Sequence, residues 1–92
     1  MEKGEFVWDW RKELINVAKH GINFTLAAKA FLDPKRRIYT DTGHSQREER
    51  FFCIGRVEER VLTVRFTYRT GKIRIIGAGC WRKGERYYEK KD

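Results

Sequence analysis

The stretch RVLTVRFTYRTGKIRIIGAG, residues 60–79, decides the fold of this chain. From Leu62 to Tyr68 every second residue is apolar, which is the period of a β-strand that buries one face. Thr70 and Gly71 suit a tight turn, and the run KIRIIGAG after them has the composition of a second strand. The stretch therefore predicts an antiparallel β-hairpin.

Further strand-like segments lie upstream of this hairpin. RFFCIGRV, residues 50–57, is separated from it by Glu58 and Glu59, a pair with poor turn chemistry. RRIYT, residues 36–40, is a shorter strand candidate, and EFVW, residues 5–8, is a candidate edge strand. The short turns that link residues 50–57, 60–69 and 72–79 predict an antiparallel meander of these three strands.

Two helical segments occupy the first half of the chain. In DWRKELINVAKHG, residues 9–21, the apolar stripe at helical spacing consists of Trp10, Leu14, Val17 and Ala18. The second segment, FTLAAKAFLDP, covers residues 24–34. We expect Asp9 and Asn23 to cap the two helices and Gly21 to end the first.

The tail WRKGERYYEKKD, residues 81–92, predicts a short C-terminal helix that Gly84 weakens. The fold class is therefore α+β, with an antiparallel central sheet, two N-terminal helices packed on it and a short C-terminal helix. Because the chain has 92 residues and shows no linker or internal repeat, we expect a single domain over residues 1–92.

The chain is strongly basic, with 21 Lys and Arg residues against 13 Asp and Glu residues and a formal net charge of +8. This excess favours an anionic partner such as nucleic acid or an acidic protein, although a merely soluble basic surface would have the same composition. No apolar run is long enough for a membrane span, and the N-terminal residues lack the apolar core of a signal peptide. We therefore expect a cytoplasmic protein.

The cysteines, Cys53 and Cys80, and the histidines, His20 and His44, have no close spacing, so we expect no metal site and no cofactor. Reduced thiols are the simplest interpretation, with a Cys53–Cys80 bridge left open. The glycines of the last strand-like run have the wrong spacing for a dinucleotide-binding fingerprint, and no hydrolase triad is visible.

Arginines recur on one predicted face of the sheet. If both turns contain two residues, Arg50, Thr67 and Arg74 lie side by side across three strands. The next row then consists of Phe52, Arg65 and Ile76. Two interpretations of this face remain open: the arginines bind an anion, or their aliphatic stems cover an edge of the core.

Metal-independent cleavage of RNA is a reaction that such a face can perform. The 2′-hydroxyl of RNA is itself the nucleophile, so the protein has to move protons and stabilise negative charge on phosphorus. The side chains suited to these tasks are Lys19, His20, His44, Arg50, Arg65 and Arg74. They are a weak signal by themselves, because most basic domains contain such groups.

Longer motifs connect these residues. They are the opening FVWD, the segment NVAKHGINF at residues 16–24, Asp33-Pro34, HSQREERFFCIG at residues 44–55, and IRII from Ile73. Together they resemble the BrnT family of toxins, the toxin halves of type II toxin–antitoxin pairs, over about Phe6 to Glu89. The resemblance implies a RelE-like fold and an endoribonuclease that inhibits translation. It also implies neutralisation by a BrnA-like ribbon-helix-helix antitoxin, with operator DNA bound only through the antitoxin complex.

The resemblance also suggests site residues. The catalytic set is Lys19, His20, Arg50 and Arg74, and the RNA-binding set is Arg56, Arg65, Arg69 and His44. Glu49 would orient Arg50 or act as a base, and a structural salt bridge is the alternative. His20 would equally suit a helix-end residue bonded to a carbonyl. Trp8 and Asp9 are expected to be structural, as core anchor and helix cap.

One position departs from the family pattern. Family members typically have Ser-Ala-Arg where this chain has Gly77-Ala78-Gly79. Loss of one charge-stabilising donor typically costs about 10²–10³ in rate, unless Arg82 or Lys83 reaches the same space. Three functions therefore remain: an active endoribonuclease, a degenerate member that binds antitoxin or RNA without cleaving, and, less well supported because no recognition helix is visible, a DNA-binding module.

Overall fold

Six strands form one mixed sheet in the computed structural model, which describes residues 2–44 and 48–90. The strands are β1 (Glu2–Lys3), β2 (Phe6–Trp8), β3 (Arg37–Thr40), β4 (Phe51–Val57), β5 (Arg60–Arg69) and β6 (Lys72–Gly79). The helices are α1 (Trp10–His20), α2 (Phe24–Ala28) and α3 (Arg82–Glu89), with 3₁₀ turns at Lys29–Leu32 and Thr42–His44. The predicted α+β class is confirmed, and the second predicted helix is divided between α2 and the first 3₁₀ turn.

The sheet has the order β1-β2-β6-β5-β4-β3. Strands β4 to β6 form the predicted antiparallel meander, and β3 adds a further antiparallel strand beside β4. Strand β2 lies parallel to β6, with Val7 opposite Arg74. Since β1 pairs with the other side of β2, the predicted edge strand is an inner strand. The purely antiparallel sheet was therefore wrong in this detail, because a strand of three residues has too little alternation to reveal its neighbours.

Both hairpin turns in the meander contain two residues. Thr70 and Gly71 have φ angles of 51° and 78°, as a type I′ turn requires, whereas Glu58 adopts a φ of 58° without being glycine or asparagine. The predicted row of Arg50, Thr67 and Arg74 follows from this register, because Thr67 pairs with Arg74 and Arg50 precedes Phe51, the partner of Phe66.

The predicted row of Phe52, Arg65 and Ile76 is only partly correct. Phe52 lies opposite Arg65, but a β-bulge shifts the next pairing so that Arg65 lies opposite Gly77. Ile76 is the extra residue of the bulge. Ile75 and Ile76 interrupt the alternation of β6 at this point, but the interruption alone did not show the shift in register with β5.

The two faces of the sheet have different coverings. Helices α1 and α2 cover one face, where Phe24, Leu62 and Phe66 form the fully buried centre of the core. Helix α3 packs on β4 and β5 from the other side. We call this second side the α3 face; its side chains are Phe52, Ile54, Thr63, Arg65, Thr67 and Arg74.

Helix α1 docks on the sheet through a polar residue. Asn16 is buried, and its side-chain amide donates to the carbonyls of Ile22 and Ala78 while its carbonyl oxygen accepts from Ala78 N–H. The apolar stripe identified in the sequence faces outward, with Trp10 51% and Leu14 59% exposed. The spacing identified an apolar helix surface correctly, but the core-facing side is set by Asn16.

The predicted capping residues are confirmed. Asp9 accepts a hydrogen bond from Arg11 N–H at 2.8 Å, and Asn23 accepts one from Leu26 N–H at 2.7 Å. Gly21 ends α1 in the left-handed conformation with a φ of 69°. Trp8 is buried in the core, as expected.

The two thiols lie in different environments. Cys53 is buried in the core and Cys80 is exposed, and both are free. Burial raises the pKa of the Cys53 thiol to about 12, so this group stays protonated and unreactive. Within the described residues there is no cluster of groups suited to a metal ion, and no described helix is long and apolar enough to cross a membrane.

Candidate functional site

A cleft of about 810 Å³ opens between α3 and the outer strands of the sheet. Strands β3, β4 and β5 supply its floor, the segment after β3 supplies one wall, and the start of α3 supplies the other. Its polar and aromatic lining residues include Tyr39, Asp41, Thr63, Arg65, Trp81 and Lys83. The cleft thus combines aromatic walls with cationic groups, the combination that single-stranded nucleic acids prefer.

Arg65 is held at the cleft by a buried carboxylate. Its Nη2 lies 3.5 Å from Oδ2 of Asp41, whose side chain is only 7% exposed, while that of Arg65 is 31% exposed. An arginine fixed on one side in this way keeps other donors of its planar fork directed at a ligand. The pair therefore presents a positioned guanidinium rather than a mobile one.

Thr63 lies deeper in the same cleft. Its hydroxyl is buried and has no hydrogen-bond partner among the described residues. Gly84 of α3 approaches it so closely that a Cβ at position 84 would collide with the hydroxyl. Gly84 is thus required for the docking of α3 on β5, which explains why a helix-weakening residue stands in this helix.

Trp81 connects the cleft to the end of α1. Its ring lines the cleft and also meets the ring of His20, with centroids 5.2 Å apart. The same indole lies against Gly79, where an added Cβ would be 2.5 Å from Cη2. The space in which an arginine side chain would begin at position 79 is therefore filled by Trp81.

Two of the four predicted catalytic residues, Arg50 and Arg74, flank Thr67 as expected. The hydroxyl of Thr67 donates to the carbonyl of Glu49 at 2.6 Å, so it serves to anchor the segment before β4. Nη2 of Arg50 lies 4.0 Å from Oε1 of Glu48, which makes Glu48 an ion-pair partner that the sequence did not suggest. The role expected of the Glu49 carboxylate stays a prediction.

Arg74 also lies near the start of α1. The pKa of the Asp9 carboxyl is lowered chiefly by the hydrogen bond from Arg11 N–H, and the charges of Arg11 and Arg74 add to this. Lys19 and His20 lie at the other end of α1, both exposed. The ring of His20 contacts Trp81 at the cleft, whereas Lys19 is not among the described residues that line it.

The predicted RNA-binding residues divide between three places. Arg65 lies in the cleft, and Arg69 is exposed at the end of β5, where its guanidinium lies 3.2 Å from Glu48. Arg56 lies elsewhere, with its guanidinium 5.5 Å from the ring centroid of Tyr88. The backbone of His44 ends the second 3₁₀ turn, and its side chain lies outside what the structure describes, as do residues 45–47.

Sequence reasoning missed the aromatic and acidic lining of the cleft. Tyr39 and Tyr87 face each other with ring centroids 5.0 Å apart, and Asp41 and Trp81 complete the walls. The interleaving of aromatic and basic residues in WRKGERYY was the available signal, since such interleaving is typical of nucleic-acid surfaces. The contribution of Asp41 had no local signal, because its partner Arg65 is distant in sequence.

Residues 8–85 match the model of a protein family described as the ribonuclease toxin BrnT of type II toxin–antitoxin systems. The chain belongs to this family. The match includes α1, the whole meander and the start of α3, and so covers every predicted catalytic residue. No curated protein matched the chain.

The geometry of the cleft is consistent with membership of the BrnT family. The family's description as ribonuclease toxins agrees with a basic, aromatic-walled cleft on an open sheet face. Tyr87, which forms part of the wall, lies just beyond the matched segment. The part of α3 that carries Lys83 and Gly84 lies within it.

Proposed function

We propose that this BrnT-family chain is a metal-independent endoribonuclease whose RNA substrate lies across the α3 face. The observation that supports the proposal is that Arg65 lines the cleft, with Arg74 on the same side of the sheet and Arg50 directly before β4. RNA phosphates would contact the arginines, and a base would stack on the aromatic wall. By cleaving RNA in the cytoplasm, the toxin would inhibit translation.

The chemistry requires few groups. The 2′-oxygen of the RNA attacks the adjacent phosphorus, the bond to the 5′-oxygen breaks, and a 2′,3′-cyclic phosphate and a 5′-hydroxyl result. Arg50, Arg65 and Arg74 would stabilise the extra negative charge on the phosphoryl oxygens. His20, beside Trp81, is the group at the cleft that is best suited to move a proton near neutral pH.

The family context supplies the regulatory part of the proposal. A BrnA-like ribbon-helix-helix antitoxin would neutralise the toxin, and only the complex of the two would bind operator DNA. An acidic antitoxin would match the net charge of +8. The chain alone would then bind duplex DNA without sequence preference.

Cleavage of a defined RNA by the purified chain, with and without EDTA, tests the proposal. We expect cleavage in both conditions and products that carry 2′,3′-cyclic phosphates. Arg50→Ala and Arg74→Ala should each lower the rate by about 10²–10³. Arg60→Ala, at the exposed start of β5, is the matched control and should retain the wild-type rate.

Circular dichroism of these variants distinguishes a loss of catalysis from a loss of the fold. Unfolded Arg50→Ala and Arg74→Ala chains would show that the arginines are structural. Absence of RNA cleavage by the wild-type chain, together with normal growth of cells that express it, would contradict an enzymatic function.

A degenerate toxin is the second candidate, and one observation favours it. The β6 exit carries Gly79 under the ring of Trp81, so this position supplies no charge, whereas the resemblance to the family implies an arginine there. Such a chain would bind RNA or antitoxin without cleaving. Retention of RNA binding in a gel-shift assay, with intact RNA recovered afterwards, would identify this case.

A further inference from the structure

The outward side of α1 carries an apolar surface that the fold leaves uncovered. It consists of Trp10, Leu14, Val17 and Ala18, here called the α1 stripe. Trp10, Leu14 and Val17 are 51%, 59% and 41% exposed, and the adjacent Ile15 is 56% exposed. Isolated exposed apolar side chains are ordinary, but a contiguous patch over successive helical turns marks an interaction surface.

The described side-chain hydrogen bonds that hold α1 to the rest of the fold come from the other side of the helix. They are made by Asn16, which binds the Ala78 and Ile22 backbone, and by Glu13. The two carboxylate oxygens of Glu13 accept from the indole N–H of Trp8 at 3.0 Å and from Phe24 N–H at 2.9 Å. Because the inward side of the helix is already satisfied by polar contacts, the stripe is available to another molecule.

A positive charge lies beside the stripe. Arg11 is exposed, and its guanidinium lies 5.0 Å from the ring centroid of Trp10, whereas Lys12 and Lys19 are exposed farther round the helix. Glu13, the only carboxylate within α1, is turned inward. Two copies of the chain that met through this surface would bring like charges together, whereas a partner with carboxylates would be attracted.

We propose that the α1 stripe is the docking surface for the antitoxin. The occupant is an amphipathic segment whose apolar side chains cover the stripe and whose carboxylates reach Arg11 at its edge. This inference rests on the toxin–antitoxin pairing in the proposed function, because the partner of a type II toxin is a protein. The stripe is separate from the α3 face, so antitoxin binding and RNA cleavage are measurable independently.

Titration of the chain with the purified protein encoded by the adjacent reading frame, followed by calorimetry, tests the proposal. Trp10→Ser should weaken binding at least about thirty-fold, as expected for an interface hot spot. Adding Leu14→Ser and Val17→Ser should abolish it. Thermal unfolding of these variants should match that of the wild type, because the side chains are exposed.

Two control variants address specificity. Leu32→Ser removes an equally apolar side chain, 78% exposed but outside the stripe, and should bind like the wild type. Arg50→Ala, on the other side of the sheet, should also bind like the wild type. Charge reversal by Arg11→Glu should weaken binding more strongly at low salt than at high salt.

Three results would overturn the proposal. They are wild-type affinity in the triple serine variant, no binding of the adjacent-frame protein by the wild-type chain, and a dimer of the chain alone that the triple variant dissolves in sedimentation measurements. The last result would identify a second copy as the occupant. Failure of the proposed ribonuclease function would show separately, as intact RNA in the cleavage assay.

Discussion

Asn16 joins three parts of the chain through one amide group. It accepts from Ala78 N–H and donates to the Ala78 and Ile22 carbonyls, all at 2.9–3.0 Å. It therefore holds α1, the α1–α2 connection and the end of β6 together. This explains the motif NVAKHGINF in structural terms, since Gly21 supplies the left-handed turn and Phe24 enters the core.

Asn16→Ala should lower the free energy of unfolding by about 3 kcal/mol, because buried backbone groups of Ala78 and Ile22 would lose their partners. Ile15→Ala, one residue earlier and exposed, should change it by less than about 0.5 kcal/mol. Urea unfolding followed by circular dichroism measures both. Equal stability of Asn16→Ala and the wild type would mean that water or a backbone shift replaces the amide.

The structural role of Gly79 is set by its contact with the ring of Trp81. The Cα of Gly79 lies against the indole of Trp81, which a Cβ at this position would meet at 2.5 Å. The two positions are therefore coupled. An arginine at position 79 and a ring at position 81 compete for the same space.

Gly79→Arg should lower the free energy of unfolding by about 1–3 kcal/mol through overpacking. Combined with Trp81→Ala, it should cost less than the sum of the two single changes. Thermal unfolding of the four chains in this double-mutant cycle measures the coupling. If RNA is cleaved, the rate should rise only in the double variant; strict additivity of the two stability changes would contradict the proposed competition.

At the scale of the elements, periodicity predicted the strands of the meander and the caps of both N-terminal helices. These features depend on residues close in sequence, such as Asp9 with Arg11 and Thr70 with Gly71. The inward side of α1 depends instead on Ala78, 62 positions after Asn16. A hydrophobic pattern cannot show that a polar side chain will find backbone partners so far away.

The candidate site likewise has one part that the sequence predicted and one part that it did not. The row of arginines could be predicted, because it requires only strand alternation and two short turns. The cleft could not, since it depends on how α3 crosses the sheet, and that crossing depends on the contact between Gly84 and Thr63. The bulge at Ile76 shifts the pairing of β6 with β5, which the alternation of β5 did not show.

Asp33 connects the turn before β3 to β4 and α3 through hydrogen bonds. Its carboxylate accepts from Tyr88 O–H at 2.6 Å and from the backbone N–H groups of Arg56 and Lys35 at 2.7 and 2.8 Å. Desolvation acts to raise the pKa of this carboxyl, but the hydrogen bonds and the charge of Arg56 together lower it below its usual value. The hydrogen bond to Asp33 in turn raises the pKa of Tyr88.

A carboxyl whose pKa is lower in the folded state stabilises that state above its ordinary pKa of about 4, and the contribution disappears as the pH falls through the folded value. Asp33→Asn should therefore be less stable than the wild type at pH 7, by about 1 kcal/mol. The difference should shrink towards zero as the pH falls below about 3. Urea unfolding across this range checks it, and a constant difference at every pH would show that the charge of Asp33 is unimportant.

At the scale of the whole molecule, the two sides of the sheet differ in character. The α3 face presents arginines beside an aromatic cleft, while the helical side presents the α1 stripe. A net charge of +8 attracts any polyanion, so RNA binding in itself says little about which surface is used. Whether a particular arginine neutralises an RNA phosphate is more informative.

The salt dependence of binding to a single-stranded RNA answers that question. The slope of log K against log salt concentration is about −0.7 for each phosphate that the protein neutralises on a single strand. Arg50→Ala, Arg65→Ala and Arg74→Ala should each reduce the magnitude of the slope by about 0.7. Fluorescence anisotropy between about 50 and 300 mM salt, over which the Debye length falls from about 14 to about 6 Å, measures the slopes.

Arg56→Ala is the control for this measurement. Because the Arg56 guanidinium lies against Tyr88, its removal should leave the slope unchanged. An unchanged slope in the first three variants would place the RNA phosphates elsewhere, because an arginine that only covers the core releases no counterion from the nucleic acid.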